Sequence, residues 1–263
     1  MIVKMKYKQI NVNSALNKIT KKDNLFNGDY TIDPYQNCEF GCLYCDSSIE
    51  KTILIKNNII DILKEELKEL KNANIIIGSV HDPYQKIEKK QRKTREILKQ
   101  IKKHNLNCHI LTKSDLVLRD IDILKKIKNC RVTISIATID EKKKDIFEKN
   151  VVLPKERLKI IKELNKKNVY SGLSLIPILP YVTDDEIEEI IKQAKQNNSK
   201  YFLYKYLELK GDQKNIFFEA IKKNYPNLLE KYKKLYDGSF YPNSNYIKKT
   251  NSKIKTLLEK YKF

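Results

Sequence analysis

The chain has 263 residues, with 53 Lys and Arg against 33 Asp and Glu and a formal net charge of +20. At 41% hydrophobic, with six Gly and seven Pro, it can fill a core and is neither fibrous nor of low complexity. No run reaches the roughly 18 apolar residues of a membrane span, and residues 1–20 lack the apolar stretch of a secretory signal, so a soluble cytoplasmic protein is expected.

Along the chain, β-branched apolar runs alternate with amphipathic stretches. Strands are predicted at 30–32, 74–78, 107–112, 131–137, 169–176 and 201–207. Helices are predicted at 58–70, 88–104, 121–127, 154–167 and 184–196. Pro154 suits the first turn of the fourth helix, and Thr183 suits the N-cap of the fifth. Six β-α units predict a parallel sheet with right-handed crossovers, either an open doubly wound sheet or a partial barrel. From Gly211 onward the chain reads as two or three helices rich in Lys and Tyr.

The charge is less specific than its size suggests. Of the 53 basic residues, 48 are Lys and five are Arg. Base-reading proteins lean on the planar fork of Arg, whereas Lys gives non-specific phosphate attraction. Residues 201–263 carry 14 Lys against six acids. Tyr225, Tyr232, Tyr236, Tyr241, Tyr246 and Tyr261 interleave with them. This mix suits either a nucleic-acid surface or a helical cap with its tyrosines packed inward.

Five cysteines in a chain without a secretory signal argue against a disulfide framework. Cys38, Cys42 and Cys45 form C-x3-C-x2-C. Thiolates this close call for a metal, and soft sulfur selects zinc or iron–sulfur. Three ligands suit a [4Fe–4S] cube with one iron left open. A redox C-x-x-C and a zinc site completed by Cys108, Cys130 or a histidine are the competing readings. Cys108 and Cys130 themselves read as core residues.

Unusual polar residues fall at the carboxyl ends of the predicted strands, where parallel α/β folds bind ligands. Asp33-Pro34-Tyr35-Gln36 precedes the cysteines, and Gly78-Ser79-Val80-His81-Asp82-Pro83-Tyr84-Gln85 follows the second strand. Lys113-Ser114-Asp115, Thr138 with Asp140, Pro180 to Asp184, and Glu208 end the others. Helix capping accounts for Asp140 and Asp184. It does not account for Lys113, because a cation near a helix N-terminus opposes the dipole, so Lys113 wants an anion. This common rim favours a barrel. The fold class is therefore a partial (β/α)6 TIM-like barrel over residues 1–210, with a short lead-in at 1–28. A C-terminal helical extension over 211–263 packs on it.

The cysteine motif, with Tyr44 before its third cysteine at the end of the first strand of a β-α series, resembles that of the radical S-adenosylmethionine (radical SAM, AdoMet) enzymes. The two Asp-Pro-Tyr-Gln phrases, the run from Leu111 to Asp120 and Pro177-Ile178-Leu179-Pro180 resemble the spore photoproduct lyase-like branch. The resemblance implies a [4Fe–4S] cluster on Cys38, Cys42 and Cys45. AdoMet would chelate the open iron and be cleaved to a 5′-deoxyadenosyl radical that abstracts hydrogen from substrate. It implies cofactor contacts at Tyr44, Gly78, Ser79, Lys113 and Ser135. Arg157 is a further carboxylate candidate, with a solvated helix face as its competing reading. Asp46 and Asp82 are the candidate catalytic carboxylates. Two departures bear on substrate. Asp46 stands where the lyase carries a tyrosine, and the stretch 75–82 holds no cysteine where the lyase carries its hydrogen donor. A one-electron donor of flavodoxin or ferredoxin type and a nucleic acid or nucleotide substrate are the implied partners. Modification of a protein, peptide or small metabolite is the alternative. A non-enzymatic iron–sulfur or zinc module that contacts RNA is a third reading.

Overall fold

The computed structural model describes residues 5–21 and 24–263; residues 1–4 and 22–23 of the predicted lead-in lie outside the described residues. The strands are β1 (Lys6–Ile10), β2 (Asn17–Lys18), β3 (Tyr30–Ile32), β4 (Tyr35–Gln36), β5 (Thr52–Lys56), β6 (Asn74–Ile77), β7 (Asn107–Thr112), β8 (Cys130–Ser135), β9 (Tyr170–Ile178) and β10 (Phe202–Tyr206). The helices are α1 (Ile59–Glu66), α2 (Glu88–Gln91), α3 (Lys93–Lys103), α4 (Ile121–Leu124), α5 (Glu141–Phe147), α6 (Pro154–Lys166), α7 (Ile187–Gln196), α8 (Gly211–Asn224), α9 (Leu229–Leu235) and α10 (Ser244–Lys260). None of them is long and apolar enough to cross a membrane, among the described residues.

One sheet carries the order β10-β9-β8-β7-β6-β3-β2, parallel from β10 to β3 and closed off by antiparallel β2. The six parallel strands are the six predicted ones, and they form the partial barrel of the expected fold class. Helices cover the outer face through apolar stripes at helical spacing. On α3 the stripe is Thr94, Ile97, Leu98 and Ile101, and on α7 it is Ile187, Ile190, Ile191 and Ala194. β6 and β7 are buried along most of their length, as strands covered on both faces must be.

Several local expectations need correction. The predicted helix at 88–104 breaks at Arg92, whose φ of +53° ends α2 and begins α3. Thr183 does not cap α7; its hydroxyl pairs with the backbone of Leu179 instead. Asp184 does not cap it either. Its carboxylate accepts from the Tyr181 N–H and the Tyr246 hydroxyl. Asp140 does cap α5, accepting from the Lys143 N–H. Sequence patterning missed α5 and a three-stranded sheet, β1-β5-β4, that flanks the cysteine loop.

Two of the six C-terminal tyrosines pack inward, while Tyr241 is exposed. Tyr232 and Tyr236 are fully buried, with hydroxyls donating to the carbonyls of Pro180 and Leu207. Both belong to a second core in which α8 and α9 pack with Phe40, Cys42, Tyr44 and Phe147. These rings are packing elements rather than a stacking surface.

The two Asp-Pro-Tyr-Gln phrases converge on one buried ionic network. The Tyr35 hydroxyl donates to Glu88, and the Tyr84 hydroxyl to Asp120 at 3.1 Å. Arg119 bridges the two carboxylates, at 2.6 Å to Glu88 and 2.7 Å to Asp120, and Arg95 reaches Asp120 at 2.7 Å. Removing one partner of such a network strands a charge in low dielectric. Arg119→Met is expected to lower unfolding free energy by about 3–5 kcal/mol in urea titrations, with partial recovery when Glu88→Gln is added.

Candidate functional site

The cysteine loop crosses the carboxyl-terminal rim of the sheet and is held there by buried polar groups. The Gln85 amide is wholly buried. It accepts from the Glu39 N–H at 2.9 Å and donates to the Asn37 carbonyl at 3.1 Å, bracketing Cys38. The Cys38 N–H donates to the Ser47 carbonyl at 2.7 Å, and the Leu43 N–H to that of Phe147 at 3.0 Å. Glu39 is fastened by the Tyr7 hydroxyl and the Ile87 N–H, both at 2.7 Å. Gly41, at φ +65°, makes the turn between the first two cysteines.

The loop after β6 wraps a second carboxylate. Asp33 is buried and accepts backbone N–H bonds from Gly78, Val80 and His81, while burial pushes its pKa up to about 6. Gly78 has φ +85°, and a Cβ there would lie 2.4 Å from Pro83 Cδ and 2.5 Å from the Leu111 carbonyl. Only glycine fits. His81 lies beside this loop and accepts from the Asn37 N–H through Nδ1. Burial and Lys56 lower its pKa to about 4.

These loops enclose a cavity of about 300 Å³ at the strand ends. Cys38, Cys42 and Cys45 line it together with Tyr44, Asp46, Gly78, Ser79, Asp82, Lys113 and Ser135. Every predicted site residue except Arg157 therefore meets at one place. Lys113 Nζ donates to Ser135 Oγ at 3.0 Å and stands 5.8 Å from the centre of the Tyr44 ring. Among the described residues no carboxylate forms an ion pair with it. Asp82 accepts from Thr112 Oγ1, the Lys113 N–H and the Tyr84 N–H at 2.7–2.9 Å. Burial nonetheless leaves its carboxyl above the ordinary range.

Arg157 requires a correction. It is neither on a solvated face nor part of the cavity wall. It is fully buried, with Nη2 at 2.6 Å from Glu148 and Nη1 at 2.8 Å from the Ser135 carbonyl. Glu148 also accepts the Tyr44 hydroxyl. Burial alone would raise the Glu148 carboxyl, but Arg157 and Lys113 outweigh it and hold the group below its ordinary value. Sequence reading missed Glu148, because it lies 104 residues from Tyr44 in a lysine-rich stretch with no motif around it. It missed Gln85 as an anchor too, although the repeated phrase had already singled that residue out.

The donor set fits an iron–sulfur cluster and an anionic ligand. All three thiols are free, and Cys38 and Cys42 are buried. Burial and the Asp82 carboxylate push the Cys38 thiol up to about 12, and burial sends Cys42 well above its ordinary value. A cationic cluster inverts that preference and draws thiolates. The N–H groups of Phe40 and Asp82 already point at the Cys38 sulfur. Two hydroxyls on the cavity wall, Ser48 Oγ and Ser174 Oγ, are buried without a hydrogen-bond partner among the described residues. Cys108 and Cys130 are elsewhere, facing each other at 3.5 Å across β7 and β8 in the barrel core. The described residues include no group of three or more His, Cys, Asp or Glu placed to hold one metal ion.

Comparison with known proteins supports the same assignment. The chain is 31% identical over 211 residues to an uncharacterized protein of Methanocaldococcus jannaschii, covering 76% of this chain and 78% of that one. It is 23% identical over 270 residues to an uncharacterized protein of Mycobacterium tuberculosis, covering 95% and 79%. Its fold is similar to that of a spore photoproduct lyase mutant with bound AdoMet and dinucleoside spore photoproduct. That match has a TM-score of 0.71 at 15% identity and covers 97% of this chain and 79% of that one. Streptococcus suis SuiB bound to S-adenosylmethionine matches with a TM-score of 0.52 at 16% identity, over 75% and 47%. Residues 32–194, more than half of the chain, match the model of the radical SAM superfamily. With the three thiols and Lys113 on one cavity wall and the partial barrel in place, the chain belongs to the radical SAM superfamily of enzymes.

Proposed function

We propose that Cys38, Cys42 and Cys45 hold a [4Fe–4S] cluster and that Gly78, Ser79, Lys113 and Ser135 receive the amino-acid end of AdoMet. One observation carries this reading. Three thiols and an ammonium without a carboxylate partner line the same cavity at the strand ends. When bound, the cluster supplies the electron that cleaves AdoMet to methionine and a 5′-deoxyadenosyl radical, which takes hydrogen from substrate.

The chain's own groups then have distinct tasks. Lys113 neutralises the AdoMet carboxylate, and Ser135 aims it. Asp82 spends its carboxylate on three donors, which makes it a positioning residue for the Lys113 backbone. Glu148 and Arg157 fix Tyr44 and the end of β8, keeping the wall beside the cysteines dry and in place. Asp46 is exposed at the mouth and is the carboxylate placed to meet substrate. A one-electron carrier of flavodoxin or ferredoxin type serves as donor. The five free thiols suit the reducing cytoplasm.

For substrate, a nucleic acid or nucleotide is supported at the mouth, where Lys205 and Lys210 line the cavity. Lys210 lies 5.7 Å from the centre of the exposed Phe240 ring. Modification of a peptide or small metabolite is the second reading. Glu208 favours it by pairing with both lysines, and so does the burial of Tyr232 and Tyr236. Spore photoproduct itself is not the substrate. Asp46 stands at the relay tyrosine's position, and the lining includes no cysteine beyond the three cluster ligands, among the described residues.

Anaerobic reconstitution is expected to give about four irons per chain and reductant-dependent 5′-deoxyadenosine, with both lost in Cys45→Ala. One zinc per chain without AdoMet cleavage overturns the proposal. Lys113→Met is expected to keep its iron and weaken AdoMet binding about 10- to 100-fold, the worth of a buried charge-assisted hydrogen bond. Spore photoproduct DNA incubated with the reduced enzyme and AdoMet is expected to release no thymine; its release would return the chain to the repair reaction.

A further inference from the structure

The small sheet β1-β5-β4 is tied to the cysteine loop from outside the barrel. Asn37 Nδ2 donates to the Thr52 carbonyl of β5 at 2.8 Å, and Lys51 Nζ donates to the Ser48 carbonyl at 3.0 Å. The Tyr7 hydroxyl of β1 donates to Glu39, the residue after Cys38, at 2.7 Å. Glu39 is buried, whereas Tyr7 is 48% exposed. One exposed side chain thus stands between solvent and the neighbour of Cys38. Lys6 and Lys8, both exposed, flank Tyr7 along the strand. The Lys6 N–H donates to the Lys51 carbonyl at 2.9 Å, which brings a third exposed lysine alongside. Exposed Lys86 precedes Ile87, whose N–H donates to the same Glu39 carboxylate at 2.7 Å. None of these four lysines forms an ion pair among the described residues. Lysines on an edge strand discourage pairing with another sheet, which accounts for Lys6 and Lys8. It accounts neither for the exposed tyrosine between them nor for the lysines gathered from two other segments.

We infer that this face, centred on Tyr7, is where an acidic one-electron carrier docks to reduce the cluster. The inference rests on the reading of Cys38, Cys42 and Cys45 as cluster ligands. Carriers of flavodoxin and ferredoxin type are acidic proteins, so the unpaired lysines supply complementary charge and steer their approach. Alternation sends Lys6 and Lys8 to the face of β1 opposite Tyr7. β1 is the outer strand of its sheet, however, and its open edge presents both faces to one approaching surface. Electron transfer weakens steeply with distance, which favours the side where Cys38 lies beneath so little protein. The step moves no atoms: the carrier is oxidised by one electron and the cluster is reduced by one. The cavity mouth is the other approach to the thiols. There Glu208 pairs with Lys205 and Lys210, and Asp46 adds a second acid. A carrier seated there would also shut substrate out.

Two reductants separate docking from the cluster's own chemistry. In stopped-flow bleaching of the cluster-loaded enzyme, reduced acidic flavodoxin is expected to act about tenfold more slowly at high salt than at low salt. Lys6→Glu combined with Lys8→Glu is expected to slow flavodoxin about 10- to 100-fold at low salt, because like charges then meet. Photoreduced 5-deazariboflavin, a small uncharged reductant, is expected to bleach the same variant at the wild-type rate. Lys6→Gln combined with Lys8→Gln, which adds no acid to the edge strand, is expected to show a smaller loss in the same direction. The control is Lys248→Glu combined with Lys249→Glu, on α10, which packs against α7. It makes the same change in net charge and is expected to slow flavodoxin by about twofold at most. Wild-type flavodoxin rates in both Lys6 and Lys8 variants overturn the docking face while the cluster reading stands. An equal loss with both reductants, or an equal loss in the α10 control, does the same. A reconstituted chain whose iron neither reductant bleaches overturns both.

Discussion

Carboxylates buried among loops hold the rim of this protein together. A parallel sheet delivers its strand ends to one level and leaves the connecting backbone there with unpaired N–H groups. Here the acids absorb them. Asp33 gathers the loop after β6, and Asp82 ties that loop to the end of β7. Glu186 reaches from the start of α7 to the Thr138 hydroxyl and the Ile139 N–H, fastening the loop after β8. Glu148 closes the circuit between Tyr44 of the cysteine loop and Arg157 of α6. Each acid is costly to bury alone and cheap once surrounded by donors, so the loops are constrained to a common arrangement. Three thiols on a glycine-turned loop become a defined site only because this framework surrounds them.

Much of this was legible in the sequence. The six parallel strands carry β-branched runs that local patterning detects, and the cysteine spacing states its own chemistry. Lys113 stood out because helix electrostatics could not explain it, and the structure gives it a place on the cavity wall. The unread part shares one property, distance along the chain. Glu148 acts on a tyrosine 104 residues away, and Gln85 acts on peptide groups 46 and 48 residues away. The strand Lys6–Ile10 is largely exposed and reads as polar; it becomes a strand by pairing with Thr52–Lys56. No periodicity announces such partners. Arg157 was placed correctly on its helix, but neither reading of it, a contact to the AdoMet carboxylate or a solvated face, anticipated its buried counter-ion Glu148 just past the end of α5.

The lysines divide by position in a way composition conceals. Many stand three residues from an acid on an exposed helix face, as in Lys64–Asp61, Lys99–Glu96, Lys159–Glu156 and Lys233–Glu230. Such pairs contribute little to stability and are screened by salt. Lys113 and the lysines around the mouth are a small subset that faces the cavity. Net charge therefore describes the whole solvent-facing shell, whereas the cavity takes Lys113 on its wall and Lys205 and Lys210 at its mouth.

The arginines carry a different kind of information. There are five in the chain, and three of them are anchored on carboxylates: Arg157 fully buried, Arg95 and Arg119 partly so. A guanidinium offers a rigid fork to two acceptors at once, which the single ammonium of lysine does not reproduce. In a protein whose basic residues are nearly all lysine, scarcity becomes a signpost: at these three positions arginine stands where geometry, and not charge alone, is required. The same arithmetic, applied to other chains of equally skewed composition, offers a way to find their interior anchor points before any coordinates exist.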